Sequence, residues 1–198
     1  FVRQMLPGWD TDRDMPDMFG KVVLVTGANS GIGFQISQLL ARNNAHVVMV
    51  VRDIEKGKTA VEDIKKEITY AKLSLLQADM ASLKSIRKLA DDILATGSPL
   101  HVLINNAGVL APPGDELTED GIEITHATNF YGPLYLTLLL LPRLRASAPS
   151  RVVNVASVGE MFGKVHWEDL SLRQGCQHDH QRHEALRHLQ VIPAHGVQ

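Results

Sequence analysis

The chain has 198 residues, of which 44% are hydrophobic, and this length and balance are typical of one globular domain. A formal net charge of -2 gives no reason to expect a nucleic acid or an anionic membrane surface as a partner. The single cysteine, Cys176, excludes an intrachain disulfide. The longest apolar run, residues 134–141, is too short to span a bilayer, and no signal peptide is visible. We therefore expect a cytoplasmic protein, or a membrane-associated one if an upstream segment is missing.

Residues 1–20 hold prolines, glycines and several aspartates, which predict an irregular leader. After it, short β-branched runs alternate with amphipathic segments. The predicted strands are 21–26, 46–51, 73–77, 100–104 and 151–156. The predicted helices run from Ile32 to the Asn43-Asn44 stop, then over 55–68, 83–94 and 122–144, with a kink or break at Gly132-Pro133. This alternation predicts a Rossmann-type α/β domain over 21–170, a doubly wound parallel sheet with its ligand at the carboxyl ends of the strands. Residues 171–198 are rich in histidine and diverge from this alternation of strands and helices. We therefore expect a tail there and an incomplete C-terminal part of the fold.

A glycine-rich loop, Thr26-Gly-Ala-Asn-Ser-Gly-Ile-Gly33, follows the first predicted strand and opens the first long helix. Glycines at these positions let the backbone turn sharply and approach a pyrophosphate, and free N–H groups at a helix start bind its charge. The alternative is a purely structural turn. The predicted cofactor contacts in this loop are Gly27, Asn29, Ser30, Gly31, Ile32 and Gly33.

Two further strand ends carry candidate cofactor contacts. Arg52 lies 19 residues after Gly33, and an arginine at that point can bind the 2′-phosphate of NADP. An acidic residue there would favour NAD, and Asp53 follows at once, so NAD stays possible. The alternative for Arg52 is an ordinary exposed arginine. After the fourth strand comes Asn105-Asn-Ala-Gly108, in which the small residues Ala107 and Gly108 allow the loop to lie against a cofactor. The Asn side chains can also satisfy backbone groups between neighbouring strands.

These motifs together resemble the short-chain dehydrogenase/reductase family, in its retinol dehydrogenase-like branch. The resemblance covers about residues 10–169. It is carried by the glycine loop and four further segments: Met15-Pro-Asp-Met-Phe-Gly-Lys21, Arg52-Asp-Ile-Glu-Lys-Gly57, Asn105-Asn-Ala-Gly108 and Val153-Asn-Val-Ala-Ser157.

The resemblance implies roles for further residues. Asp79, followed by Met80, matches the family aspartate that contacts the adenine, although it could equally be a residue of a helix N-cap region. Ser157 matches the serine that positions the substrate oxygen, and Asn129 the asparagine that supports a water path. Their alternatives are a strand-end turn hydroxyl and a polar helix breaker. The family's catalytic Tyr-x-x-x-Lys is not found, because no Tyr follows Tyr135 and no Lys follows Lys164.

The function that the resemblance implies is an NADP-dependent oxidoreductase acting on a lipophilic alcohol/carbonyl pair, impaired in this chain because Tyr-x-x-x-Lys is missing. The expected partners are a small lipophilic carbonyl or alcohol and a second copy of the chain in a homodimer. The first alternative is a catalytically inactive nucleotide-binding remnant or isoform. The second is a relative that reduces another substrate class, such as an acyl thioester ketone. The tail residues Cys176, His178, His180 and His183 match no standard zinc spacing, so we expect no metal site. A tail histidine acting as a substitute acid is disfavoured, because that segment has no core of its own.

Overall fold

The computed structural model describes residues 10–109 and 117–157. Among the described residues of the leader, Thr11–Asp14 form a helical turn, α1, in a stretch predicted to be irregular. The remaining elements, in chain order, are β1 (Val22–Thr26), α2 (Gly31–Arg42), β2 (His46–Val51), α3 (Ile54–Glu67), β3 (Lys72–Gln77), α4 (Leu83–Ala95), β4 (Val102–Asn105), α5 (Ile124–His126), a π-helical turn (Ala127–Tyr131), α6 (Gly132–Ala146) and β5 (Arg151–Asn154).

The strands form one parallel sheet in the order β3-β2-β1-β4-β5. Val23 of β1 lies opposite Val47 of β2 on one side and opposite Val102 of β4 on the other. The chain thus winds outward from β1 to β3, crosses back, and winds the other way through β4 and β5. This order confirms the predicted Rossmann-type doubly wound sheet and places its switch point between β1 and β4, where such sheets bind ligands.

Both faces of the sheet are covered. Val23 and Val25 point to one face, where α2 and α3 pack, whereas Leu24 points to the other, where α4 and α6 pack. All three side chains are fully buried. This explains why the strands are continuous apolar runs rather than alternating ones.

The predicted break in the long helical stretch lies one turn earlier than expected. The irregular part is the π-helical turn at Ala127–Tyr131, and regular helix resumes at Gly132, with Pro133 in the first turn of α6. Proline is tolerated there because its missing N–H has no partner in a first turn. In the described part of the chain, no helix combines the length and the apolar character needed to cross a membrane.

Candidate active site

The loop between β1 and α2 is shaped by its glycines. Gly27 and Gly31 have φ angles of 65° and 54°, in the left-handed region that glycine adopts most easily. Ser30 is the N-cap of α2, yet its side chain makes no capping hydrogen bond. The first N–H groups of a 12-residue helix therefore have no side-chain cap, which is the arrangement that binds phosphate groups at helix N-termini.

Gly33 lies beneath this loop, in contact with the end of β4. A β-carbon at Gly33 would collide with the carbonyl oxygen of Gly27 and with Nδ2 of Asn106. Gly27 lies against Ala107, because a β-carbon on Gly27 would lie 2.9 Å from Cα of Ala107. Both glycines are thus needed for the close approach of the two loops.

Asn106 ties the end of β4 to the end of β1. Its Nδ2 donates to the carbonyl oxygens of Thr26 (2.9 Å) and Gly27 (3.3 Å). The backbone N–H groups of Asn106 and Ala107 both donate to Oγ1 of Thr26, each over 3.0 Å. These bonds are of the kind expected from the sequence, in which an Asn side chain after the fourth strand satisfies backbone groups of a neighbouring strand. The signal in the sequence was the amide side chain itself, placed where two strand ends meet.

Arg52 lies exposed at the end of β2. The neighbouring Asp53 is the N-cap of α3: its Oδ1 accepts from the N–H groups of Glu55 and Lys56, both over 3.1 Å. Oδ2 of Asp53 lies 3.8 Å from Nζ of Lys56, a separation of little energetic weight at an exposed position. The carboxylate of Asp53 is therefore engaged in capping α3. Two cations, Arg52 and Lys56, lie beside it after the end of β2.

Asp79 and Met80 follow β3. Oδ1 of Asp79 accepts from the N–H of Ala81 over 2.9 Å, so the carboxylate closes a turn. Ser82, and not Asp79, is the N-cap of α4. Met80 is 5% exposed, and a β-carbon on Gly132 would collide with its carbonyl oxygen. Gly132 thus allows α6 to approach the end of β3.

Asn129, in the π-helical turn, is paired with the loop after β4. Its Oδ1 accepts from the N–H of Val109 (2.8 Å), and its Nδ2 donates to the carbonyl oxygen of Val109 (2.9 Å). Asn105 is 5% exposed and donates through Nδ2 to Oδ1 of Asn154 (2.9 Å) and Oγ1 of Thr137 (3.1 Å). Its buried Oδ1 has no hydrogen-bond partner among the described residues.

Two cavities line the carboxyl ends of the strands. Cavity A, about 420 Å³, extends from the glycine loop past the ends of β2 and β3. Cavity B, about 460 Å³, extends from the loop after β4 to the end of β5, where the exposed Ser157 lies. They share Ile32 and residues 106–109, so they are neighbouring parts of one cleft across the switch point.

The structure brings nearly all predicted site residues to this cleft. Those that line cavity A are Gly27, Asn29, Ser30, Ile32, Arg52, Asp79, Met80, Ala107 and Gly108. Those that line cavity B are Ile32, Asn105, Ala107, Gly108, Asn129 and Ser157. Gly31 lines an adjoining shallow groove, and Gly33 lies behind the loop.

Within residues 10–109 and 117–157, no group of three or more His, Cys, Asp or Glu side chains could hold a metal ion. The tail residues considered for zinc, Cys176, His178, His180 and His183, lie outside the described residues. The donors that line the cleft are amides, hydroxyls, backbone N–H groups and two cations, a set suited to phosphate and ribose oxygens.

Comparison with known proteins agrees with this geometry. Residues 21–169 match the family described as short chain dehydrogenase. Retinol dehydrogenase 12 of Bos taurus is 44% identical over 169 residues, which cover 85% of this chain and 53% of the bovine protein. The chain thus spans about half the length of this relative.

Solved structures share the fold. A Mycobacterium Paratuberculosis protein of uncharacterized function is 36% identical, with a TM-score of 0.77, and the match covers 92% of this chain and 62% of that one. A metagenomic short-chain oxidoreductase in complex with NADP is 27% identical, with a TM-score of 0.64, covering 73% of this chain and 65% of that one. The sheet order, the glycine loop and the match over residues 21–169 lead to one conclusion: the chain belongs to the short-chain dehydrogenase family and is similar to its retinol dehydrogenases.

Proposed function

We propose that this chain binds NADP(H) in the cleft formed by cavities A and B, as part of an oxidoreductase for a lipophilic alcohol/carbonyl pair. The observation that carries the proposal is that the two cavities adjoin and form one cleft. It joins a phosphate-binding glycine loop and two cations at one end to Asn129 and Ser157 at the other. The substrate class rests on the similarity to retinol dehydrogenases.

Cavity A would hold the adenosine half of the cofactor. The first-turn N–H groups of α2 would receive the pyrophosphate, because they lack a side-chain cap. Arg52 and Lys56 would hold the 2′-phosphate through charge-assisted hydrogen bonds. Asp53 caps α3, so its carboxylate is less available to a ribose hydroxyl, and this favours NADP over NAD. Asp79 and Met80 would form the wall beside the adenine.

Cavity B would hold the nicotinamide half and the substrate. When bound, NADPH supplies a hydride to the carbonyl carbon. The Ser157 hydroxyl would donate a hydrogen bond to the substrate oxygen, on which negative charge develops. Asn129 would keep the loop after β4 in place through its paired bonds with Val109. Apolar side chains of cavity B, such as Phe130, Pro133 and Leu134, suit a lipophilic substrate.

Turnover by these 198 residues alone is proposed to be weak. Hydride transfer to a carbonyl also needs a proton donor, and the family supplies it from a Tyr beside a Lys. The printed sequence has no Tyr after Tyr135 and no Lys after Lys164. This favours, as a second candidate, a nucleotide-binding remnant or isoform that holds NADP(H) without efficient catalysis.

The experiment that tests cofactor binding is a fluorescence titration of the purified chain with NADPH. We expect saturable binding with an increase in nicotinamide emission, because cavity B encloses that half of the cofactor. A chain that binds no NADPH, while circular dichroism shows it folded, would overturn both candidates.

The division into a dinucleotide-binding domain over 21–170 and a tail over 171–198 is part of this proposal. A homodimer is proposed as well, since Leu138 of α6 is 57% exposed and lines neither cavity. Light scattering of the purified chain at several concentrations tests the homodimer: a mass near 43.6 kDa, twice the 21.8 kDa of one chain, is expected.

Cell fractionation tests whether the protein is cytoplasmic or bound to a membrane through an upstream segment.

A further inference from the structure

Glu123 forms a compact hydrogen-bond network at the start of the helical stretch. Its side chain is 11% exposed, and it is the N-cap of α5. Oε1 accepts from Oγ1 of Thr125 over 2.9 Å, and Oε2 accepts from the N–H of His126 over 2.9 Å. Oε2 also lies 3.0 Å from Nδ1 of His126, whose side chain is 7% exposed.

The carboxylate of Glu123 is the centre of this network. Burial alone would raise the pKa of Glu123, but hydrogen bonds from His126 and Thr125 outweigh it and lower the pKa to about 2. Glu123 is therefore ionised across the neutral range, and each of its bonds is strengthened by that charge. Removing the carboxylate would leave buried N–H groups unpaired, which is costly.

The network leads directly to the cleft. The π-helical turn that begins at Ala127 carries Asn129, and Asn129 exchanges two hydrogen bonds with Val109. A β-carbon on the adjacent Gly108 would lie 3.4 Å from Oδ1 of Asn129. Thus a short path runs from the part-buried carboxylate to Asn129, which lines cavity B and not cavity A, and on to Val109 in the loop after β4.

We propose that Glu123 is a positioning residue for the nicotinamide side of the cleft. By fixing the entry of the helical stretch, its carboxylate sets the place of Asn129, and Asn129 holds the loop after β4 against the cofactor. Glu123 itself lines neither cavity. This inference rests on the proposed function, because it concerns how the same cleft receives NADP(H).

The test compares two ligands on the full chain: NADPH, and adenosine 2′,5′-bisphosphate, which lacks the nicotinamide half. Glu123→Ala is expected to weaken NADPH by about tenfold, or about 1.4 kcal/mol, while adenosine 2′,5′-bisphosphate changes by less than about twofold. Glu123→Gln keeps one carbonyl acceptor for the N–H of His126, so its affinity ratio should lie between those of the parent and the alanine variant.

The matched control is Asp120→Ala. Asp120 lies in the same loop and also caps a helix, but its Oδ2 accepts from the N–H of Leu83, at the start of α4 (3.0 Å). We expect this variant to leave the ratio of the two affinities unchanged. The inference is overturned if Glu123→Ala weakens both ligands equally, weakens neither, or shifts the ratio no more than Asp120→Ala does.

Two further outcomes are decided by the same titrations. If Glu123→Ala does not fold, Glu123→Gln decides: a ratio equal to that of the parent chain overturns the inference, and a shifted ratio supports it. If the parent chain binds neither ligand, the proposed function fails and this inference falls with it. A parent chain that binds both ligands keeps the proposed function whatever the variants show.

Discussion

Gly33 and Asn106 lie so close together that a β-carbon on Gly33 would collide with Nδ2 of Asn106. That amide group is the one that joins the ends of β1 and β4. The glycine loop and the loop after β4 are therefore one packed unit, and the cleft at the switch point depends on both.

Gly33→Ala should therefore disrupt cofactor binding from behind the loop. The new methyl group must displace the Gly27 carbonyl or the Asn106 side chain, and such overpacking typically costs about 1–3 kcal/mol. We expect a lower free energy of unfolding and a loss of about tenfold or more in NADPH affinity. Urea unfolding and an NADPH titration measure the two effects. Unchanged affinity in the folded variant would show that the loop is only a turn.

Gly31→Ala should impair binding for a different reason. Gly31 has a φ of 54°, and no protein atom lies within 4 Å of the position of a β-carbon on it. A methyl group there would strain the backbone and would contact a bound pyrophosphate, but it would not collide with the protein. Gly97, after α4, has a φ of 68° and equally open surroundings, which makes Gly97→Ala a matched control. Both variants should lose about 1–2 kcal/mol of stability. Only Gly31→Ala should also lose NADPH affinity. Equal Kd values for NADPH in the two variants would show that the pyrophosphate does not lie at Gly31.

His101 makes the stability of the sheet depend on pH. Its Nδ1 accepts from the N–H of Val22 over 3.0 Å, which requires a neutral imidazole. Burial and the nearby Lys21 charge lower the pKa of His101. Because the folded-state pKa lies below the ordinary one of about 6.5, this stabilisation is complete above that pH and is lost as the pH falls through the folded-state pKa.

Urea unfolding at pH 7.5 and at several lower pH values measures this effect. The parent chain should lose free energy of unfolding as the pH falls below about 6.5, whereas His101→Gln should lose less over the same range. The variant cannot gain a proton at this position, so the difference between the two slopes isolates His101. Parallel slopes would remove His101 from this role.

Catalysis should be separable from binding. Without the family's Tyr and Lys, turnover of lipophilic aldehydes with NADPH should be lower by about 10²–10⁴-fold than in an intact family member, which is the usual contribution of a positioned acid. The measurement is NADPH oxidation by the purified chain over a panel of such aldehydes, alongside the binding titration. Turnover near that of the intact relative would contradict this, and would point to a substitute acid such as a tail histidine.

Much of the fold was predictable because the strands are buried on both faces. Strand β2 was predicted with its bounds as observed, β1 and β3 differ by one residue at the start and β5 by two at the end, and β4 differs by two at the start and one at the end. The π-helical turn was not predicted. It ends next to Gly132, which lies against the carbonyl of Met80, 52 residues away in the chain, and no local pattern reveals such a contact.

The candidate site was predictable where a residue type at a strand end has one chemical use. Arg52 and the glycine loop are of this kind. Asp53 was ambiguous in sequence because a carboxylate can bind a ribose or cap a helix, and only the backbone of α3 shows that it caps. For Asn106, the sequence predicted the kind of bond, from an amide to the backbone of a neighbouring strand, but not which carbonyl groups accept it. Glu123 was given no role, because it acts through hydrogen bonds to its neighbours rather than through a recognised motif.

The most direct test of the central claim, that this cleft is built for NADP(H), is the ratio of the Kd values for NADH and NADPH in the parent chain and in Arg52→Ala. Lys58→Ala is the control, since Lys58 is an exposed cation on the same helix as Lys56 but is paired with Glu55 (2.7 Å) and lines neither cavity. We expect the parent chain to bind NADPH more tightly than NADH. Arg52→Ala should lose about 1–3 kcal/mol for NADPH, about 5- to 150-fold in Kd, with little change for NADH and no change of the ratio in Lys58→Ala. Equal weakening of both cofactors by Arg52→Ala, or a parent chain that prefers NADH, would contradict it.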